Sequence, residues 1–219
     1  MRAWQVHELG DPIDCMVLDE IDDPDVGPGR VVVDVEAVGL AFPDVLQCRG
    51  EYQVKPPLPF TPGSETAGRV SAVGDDVDSA ILGRRVVALG GGLAERLVLP
   101  ASSVFEVPDV LASTKAAAVP MNYGTTWFAL HDRAHLAPGE TLLVTGAAGG
   151  VGSAAIQLGK AAGAWVIAVA GGPEKVAACA GLGADEVIDH REVDDLVARV
   201  RELTDGNGVD VAYDPVGGE

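Results

Sequence analysis

The sequence contains few cysteines, few aromatic residues, few basic residues and no long apolar run. Its three cysteines (Cys15, Cys48 and Cys179) lack CxxC spacing, which excludes a disulfide scaffold and a thiolate zinc knuckle and favours a reducing compartment. With 15 Lys and Arg against 33 Asp and Glu, the net charge is −18, so nucleic acid is not an expected partner. Apolar runs are short, and the N-terminus has no secretory signal. We therefore expect a cytoplasmic protein without a membrane partner.

Residues 1–112 have the pattern of a β-rich domain. In the segment 31–38, Val31, Val33, Val35 and Ala37 alternate with polar residues, as expected for a half-buried strand. Further short apolar runs are separated by Gly and Asp turns, and they predict strands at Arg69–Val73, Arg85–Leu89, Leu97–Leu99 and Val104–Val107. This spacing is typical of a small barrel or sandwich.

One part of this domain does not fit a strand pattern. The segment 42–62 carries five prolines, at positions 43, 56, 57, 59 and 62. Proline cannot donate a ladder hydrogen bond, so a central strand is excluded here. We predict an ordered surface loop, an element that often carries function.

From residue 113 onward, apolar strands alternate with segments of helical spacing. Strands are predicted at Thr141–Thr145, Trp165–Val169, Glu186–Ile188 and Val209–Tyr213, with helices between them. This alternation predicts a parallel sheet covered on both faces. The fold class is therefore α/β plus β: a β-rich domain, 1–112, followed by a doubly wound domain, 113–219.

A glycine-rich turn joins the first of these strands to its helix. Against the pattern G-x-G-x-x-G, the key positions are Ala147, Gly149 and Gly152. Gly149 permits close approach of a pyrophosphate, Gly152 permits close helix–strand packing, and the helix N-terminus attracts phosphate. The strand–turn–helix–strand context predicts dinucleotide binding, with contacts at Ala148, Gly149, Gly150, Val151 and Gly152. The alternative is a merely glycine-rich turn.

The end of the second strand bears on which nicotinamide cofactor binds. NAD-specific sites place Asp or Glu there, whereas this strand ends in Val169-Ala170-Gly171-Gly172-Pro173, with no acid before Glu174. At this strand end, where Gly172 is a predicted cofactor contact, a 2′-phosphate would meet no repulsion. Lys175 would pair with it, and His190 with Arg191 would add a cation or an adenine contact. The sequence favours NADP(H), although Lys175 is also compatible with an ordinary solvated helix residue.

Several motifs together carry a family resemblance: Arg49–Tyr52, Pro59–Glu65, Ala147–Gly152 and Tyr213–Gly218. In this order they resemble the medium-chain dehydrogenase/reductase superfamily, and within it the zinc-independent NADPH:quinone oxidoreductases of the zeta-crystallin type. The resemblance implies a GroES-like catalytic domain, a Rossmann domain and NADPH-dependent reduction of quinones or other α,β-unsaturated carbonyls. It also implies cofactor contacts at Val216 and Gly217.

The sequence departs from family patterns in ways that matter for metal. Ser64 stands where zinc-binding alcohol dehydrogenases have a histidine, and the cysteine cluster of their structural zinc is absent. The four histidines are scattered, without ligand spacing. No metal is therefore expected. Ala41 replaces the asparagine that quinone reductases usually carry beside the nicotinamide.

The resemblance also suggests catalytic residues. Tyr52 matches a tyrosine that related 2-enoyl-thioester reductases use as proton donor, and Thr126 matches a threonine near the nicotinamide. The alternatives are a packed loop tyrosine and a helix hydroxyl bonded to its own turn. For Asp44 and Glu65 we expect orienting or structural roles. Cys48 could react with a quinone, but nothing near it in the sequence predicts a lowered pKa.

The family's Rossmann sheet has six strands, and this sequence stops after the fourth. Strand order 3-2-1-4 would leave the fourth strand with an open edge, so we expect a homo-oligomer that self-associates near residues 209–219. Three functions remain open: a quinone or enone reductase, a 2-enoyl-thioester reductase that would need a basic entrance, and a fragment that binds NADP(H) without turnover.

Overall fold

The structure, a computed structural model, describes residues 1–217. Contacts divide the chain into two compact units, Met1–Met121 and the part from Asn122 onward. Residues 113–121 thus pack with the first unit, and the domain boundary after residue 112 stays a prediction.

The first unit contains a five-stranded antiparallel sheet and an N-terminal hairpin. The elements are β1 (Arg2–Val6), α1 (Pro12–Cys15), β2 (Met16–Glu20), β3 (Arg30–Gly39), α2 (Phe42–Cys48), β4 (Glu65–Val73), β5 (Arg85–Leu89), β6 (Arg96–Pro100), β7 (Val104–Glu106) and α3 (Ser113–Ala116). The order of strands in the sheet is β6-β3-β4-β5-β7, as expected for a β-rich domain. The sequence predicts the sheet strands within a few residues, but not the β1–β2 hairpin.

Strand β3 contributes side chains to two buried clusters of the first unit. Val31 and Val33 are buried and Val35 packs beside them, as the alternation predicts. Ala37 instead packs against a second cluster with Ala116 and Ala117. The pairing of β3 with β4 shifts register between Val35 and Ala37, so the strand no longer presents the same face to one core.

The proline-rich segment corrects the prediction of a continuous loop. It begins with helix α2, whose first turn contains Pro43. Proline fits there because the first N–H groups of a helix need no helical partner. The Asp44 carboxylate accepts a hydrogen bond from the Ala41 N–H at 2.7 Å and so stabilises the N-terminus of α2. After α2 the chain is irregular up to β4, apart from a bridge between Phe60 and Val6.

The second unit is built around a four-stranded parallel sheet. The strands are β8 (Thr141–Val144), β9 (Trp165–Ala170), β10 (Glu186–Asp189) and β11 (Val211–Tyr213), and the helices are α5 (Gly150–Ala161), α6 (Pro173–Gly181) and α7 (Leu196–Leu203). The strand order, β10-β9-β8-β11, confirms the predicted 3-2-1-4 arrangement. Helix α4 (Pro120–Trp127) leads into the unit and continues as a π-helix at Phe128–Arg133, where the sequence predicts a single helix over 125–133.

Strand β9 shows that both sheet faces are covered. Val166 and Ala168 lie in one buried cluster with Ile156 of α5, whereas Ile167 and Val169 lie in another with Val200 of α7. Alternate side chains of a strand point to opposite faces, so helices pack on both sides of the sheet. Within residues 1–217, no helix is long and apolar enough to cross a bilayer.

Candidate functional site

A pocket of about 540 Å³ lies in the second unit, where strands β8, β9 and β11 end. The carboxyl ends of parallel strands are where open α/β sheets bind ligands, and this volume suits a small molecule or cofactor. Six of the residues predicted to contact a cofactor line it: Ala148, Gly149, Lys175, His190, Val216 and Gly217. Gly150, Val151, Gly152 and Gly172 do not.

The glycine-rich turn sits against one wall of this pocket. Gly146 has a φ of +54°, and Gly149 donates from its N–H to the Gly146 carbonyl at 2.9 Å. A methyl group at Gly152 would lie 2.4 Å from the Gly146 oxygen and 2.7 Å from Cα of Ala147, so only glycine lets α5 approach the turn this closely. Helix α5 begins here, and the N–H groups of its first turn have no carbonyl partner within the helix.

The loop after β11 forms another part of the wall. The Asp214 carboxylate accepts hydrogen bonds from the Thr145 hydroxyl and from the N–H groups of Val216 and Gly217, the last two at 3.1 and 3.2 Å. These bonds lower the pKa of the Asp214 carboxyl. Asp214 thereby joins the loops that follow two neighbouring strands. This role of Asp214 was not predicted, although an Asp-Pro pair after a strand is a turn signal.

Thr126 is fully buried beneath the glycine-rich helix. Its hydroxyl donates to the Val151 carbonyl at 3.2 Å and lies 3.4 Å from the Tyr213 hydroxyl. The hydroxyl therefore connects α4 with α5 and does not bond to its own turn. Thr126 does not line the pocket.

The first unit has a buried polar cluster beside a second pocket, of about 320 Å³. Asp44 accepts hydrogen bonds from the Gly63 N–H at 3.1 Å and from the Ser64 hydroxyl at 2.7 Å, and Ser64 lines the pocket. Glu65 is also buried and accepts from the Met121 N–H at 2.8 Å. Burial, and the neighbouring charge of Asp44, raise the pKa of the Glu65 carboxyl.

Two further residues considered in the first unit lie outside that pocket wall. Tyr52 is half-buried in the chain after α2, where its N–H donates to the Leu46 carbonyl. Cys48 is buried, and its burial together with the neighbouring Cys15 raises the pKa of the thiol to about 11. The Cys48 thiol is therefore protonated at neutral pH and is a poor nucleophile.

Two family profiles match the chain. Residues 27–109 match the alcohol dehydrogenase GroES-like domain, and residues 150–219 match the family described as zinc-binding dehydrogenase. The described residues do not fit zinc: among them no group of three or more His, Cys, Asp and Glu side chains is placed to hold a metal ion. The Ser64 hydroxyl, moreover, donates a hydrogen bond to the Asp44 carboxylate.

Individual relatives align with this chain over its whole length. The chain is 41% identical over 222 residues to the quinone oxidoreductase-like protein 2 homolog of Nematostella vectensis, in a match that spans 100% of this chain and 60% of the relative. A probable oxidoreductase from Mycobacterium abscessus superimposes with a TM-score of 0.91 and 42% identity over 99% of this chain and 70% of the other. A quinone oxidoreductase from Thermus thermophilus, solved also with NADPH, gives a TM-score of 0.86 and 37% identity, with 100% and 68% coverage.

The chain thus spans about three fifths of the length of the curated relative that it matches. Both family profiles fall in the order that the motifs indicated, and each falls mainly within one compact unit. The antiparallel sheet and the parallel sheet correspond to the predicted GroES-like and Rossmann domains. The chain belongs to the medium-chain dehydrogenase/reductase superfamily, and its relatives include quinone oxidoreductase-like proteins.

Proposed function

We propose that this chain belongs to an NADPH-dependent oxidoreductase that reduces quinones or other α,β-unsaturated carbonyls without a metal. The observation that carries the proposal is the pocket at the ends of β8, β9 and β11, which combines a glycine-rich turn with an exposed lysine. The relative from Thermus thermophilus, a quinone oxidoreductase crystallised with NADPH, supports both the reaction and the cofactor.

The residues present fit such a cofactor. Gly152 holds the N-terminus of α5 against the turn, and phosphate groups bind favourably to N–H groups at a helix N-terminus. We assign the pyrophosphate to the turn residues Ala148, Gly149, Gly150, Val151 and Gly152. The adenosine end is assigned to Gly172, Lys175 and His190, and the nicotinamide end to the loop that carries Val216 and Gly217.

The proposed mechanism needs a hydride, a proton and a fixed geometry. The nicotinamide, when bound, supplies the hydride for the electron-poor carbon of the substrate. Tyr52 then donates the proton that neutralises the negative charge on the substrate oxygen, a charge that hydrogen-bond donors must stabilise where no metal does. Thr126 orients the glycine-rich helix through its hydrogen bond to the Val151 carbonyl.

Two measurements on the chain test this function. Thermal shift with NADPH should raise the melting temperature, because a ligand that binds only the folded state stabilises it. Steady-state NADPH oxidation should then be detectable with 1,4-benzoquinone. Turnover with a 2-enoyl-CoA but not with quinone would favour the 2-enoyl-thioester reductase. NADPH binding without turnover on any acceptor would identify a binding fragment, and no binding would contradict the proposal.

The preference for NADPH is a separate prediction. Lys175 is exposed at the start of α6 and lines the pocket. Replacing Lys175→Ala should raise the Kd of NADPH by about tenfold, the order of one charge-assisted hydrogen bond, and leave that of NADH unchanged. Isothermal titration measures both. Arg201→Ala, on α7 and away from the pocket, is the matched control. Equal affinities of the unmodified chain for NADPH and NADH would contradict the assignment.

A further inference from the structure

Two aspartates stand at the two ends of strand β11, which pairs with β8 over only three residues. Before the strand, the Asp210 carboxylate accepts a hydrogen bond from the Thr141 N–H at 2.8 Å. After the strand, the Asp214 carboxylate accepts a hydrogen bond from the Thr145 hydroxyl. Each aspartate therefore ties one end of β11 to β8, but Asp214 is the one that lines the pocket at the carboxyl ends of the strands.

Asp214 also holds the backbone of the loop that follows it. The Thr145 hydroxyl and the N–H groups of Val216 and Gly217 all donate to the same oxygen, Oδ1. An aspartate that accepts from N–H groups two and three residues further on stabilises a tight turn. One carboxylate oxygen thus fixes the shape of the loop and, through Thr145, its place beside the glycine-rich turn.

The side chain of Val216 lies over the glycine-rich turn. A methyl group at Gly146 would lie 2.7 Å from Cγ2 of Val216, so the missing side chain at Gly146 makes room for this contact. Val216 nevertheless remains 68% exposed and lines the pocket. Apolar side chains at a pocket wall suit the flat face of a ring. Because Val216 is held by so little burial, the bonds to Asp214 decide where this wall stands.

We propose that Asp214 is a positioning residue, anchored on Thr145, that holds Val216 and Gly217 in place for the nicotinamide ring before the cofactor arrives. The proposal rests on the proposed function, because the nicotinamide end is assigned to this loop. Asp214 acts through the loop and not on the cofactor. A loop that is already ordered loses no further backbone freedom on binding, and ordering the backbone of one residue corresponds to about tenfold in Kd.

The test uses two probes that differ only by the nicotinamide ring: NADPH and 2′-phospho-ADP-ribose, titrated calorimetrically into the chain. Asp214→Ala removes the acceptor, so the Kd of NADPH should rise by about tenfold while the Kd of 2′-phospho-ADP-ribose stays the same. Asp214→Asn keeps an oxygen for the three donors and should restore most of the affinity for NADPH. Thr145→Val removes the anchor alone and should raise the Kd of NADPH by a smaller factor.

Asp210→Ala is the matched control, because it removes the carboxylate at the other end of the same strand. It should leave the Kd of both probes unchanged. An equal loss of NADPH affinity in Asp210→Ala and Asp214→Ala would mean that the docking of β11 as a whole is responsible, and it would overturn the positioning role. Weaker binding of both probes to Asp214→Ala, or of neither, would also overturn it.

Failure of the proposed function gives a different result. If the unmodified chain binds neither probe, the proposed function itself fails. If the unmodified chain binds both probes with the same Kd, the cofactor site stands, but the loop makes no contact with the nicotinamide ring. That second result would overturn the role of Asp214 alone.

Discussion

At the scale of single residues, Asp44 is a buried carboxylate of the first unit that joins three separate hydrogen-bond donors. Its two oxygens accept hydrogen bonds from the N–H groups of Ala41 and Gly63 and from the Ser64 hydroxyl, and the residue is 6% exposed. Buried donors that lose an acceptor cost more free energy than a new hydrogen bond returns. Asp44 thus holds α2 against the segment before β4.

Removing the charge of Asp44 should therefore destabilise the first unit. Asp44→Asn replaces one acceptor oxygen with an NH2 group, which cannot accept a hydrogen bond from the donors that face it. We therefore expect the free energy of unfolding to fall by about 1–3 kcal/mol. Urea unfolding measures the change. Asp22→Asn, at an exposed aspartate outside this cluster, should leave stability within roughly 0.5 kcal/mol. Equal effects of the two substitutions would count against the role of Asp44.

The three thiols give a second prediction at this scale. Cys15, Cys48 and Cys179 are 6%, 1% and 0% exposed, and burial raises the pKa of Cys48 to about 11. None should react rapidly with Ellman's reagent in the folded chain at pH 7, whereas all three should react in guanidinium. A thiol that reacts rapidly in the folded chain would contradict this burial.

The raised pKa of Cys48 also predicts a pH dependence of stability. Because the Cys48 thiol ionises at higher pH in the folded chain than in the unfolded chain, the free energy of unfolding should decline as pH rises from about 9 to 11.

At the scale of elements, the junction of β8 and α5 depends on one glycine. Gly152→Ala would place a methyl group 2.4 Å from the Gly146 oxygen, so α5 or the turn must shift. We expect a loss of about 1–3 kcal/mol, as for other overpacked sites. Gly181→Ala is the matched control, because a methyl group there meets no atom within 4 Å and alanine favours helix by about 0.5–1 kcal/mol. Equal destabilisation by both would contradict the packing argument.

Elements with strong periodicity could be predicted, and those held by distant contacts could not. The strands of the parallel sheet and the glycine-rich turn follow from apolar runs and local turn residues. Helix α2 was missed because the five prolines of the segment 42–62 suggested a loop, while Pro43, the proline within α2, occupies a position where helices accept proline. The β1–β2 hairpin was missed as well, because its exposed positions include the apolar side chains of Trp4 and Leu18, so the buried–exposed alternation of β1 is not an apolar–polar alternation in the sequence.

The site shows the same division. The glycine-rich turn and Lys175 could be assigned from sequence because each directly follows a predicted strand, the turn after β8 and Lys175 in the first turn of α6 after β9. Asp189 and Asp214 were not assigned, because each acts on groups that sequence separation hides: Asp189 on the Gly172 N–H, and Asp214 on the Thr145 hydroxyl. Hydrogen bonds between residues so far apart in sequence form only when the parallel strands pair side by side.

At the scale of the whole molecule, the homo-oligomer remains a prediction. Within the described residues, the outer edge of β11 pairs with no strand, and unpaired edges promote association. Strand β11 is short, which limits this tendency. Sedimentation velocity of the chain at micromolar concentration should show dimers or larger species, and the fraction should rise with concentration. A single monomeric boundary over a wide concentration range would contradict the prediction.

The strand order also determines how the second unit assembles. Strands β8, β9 and β10 join near neighbours along the chain, and Lys160 pairs with Asp185 across 25 positions. Strand β11 must return to β8, where Asp210 accepts from the Thr141 N–H across 69 positions. Closing a longer loop costs more chain entropy, so we expect the three-stranded layer to form first and β11 to dock last. Amide hydrogen exchange should accordingly be faster in β11 than in β8, β9 and β10.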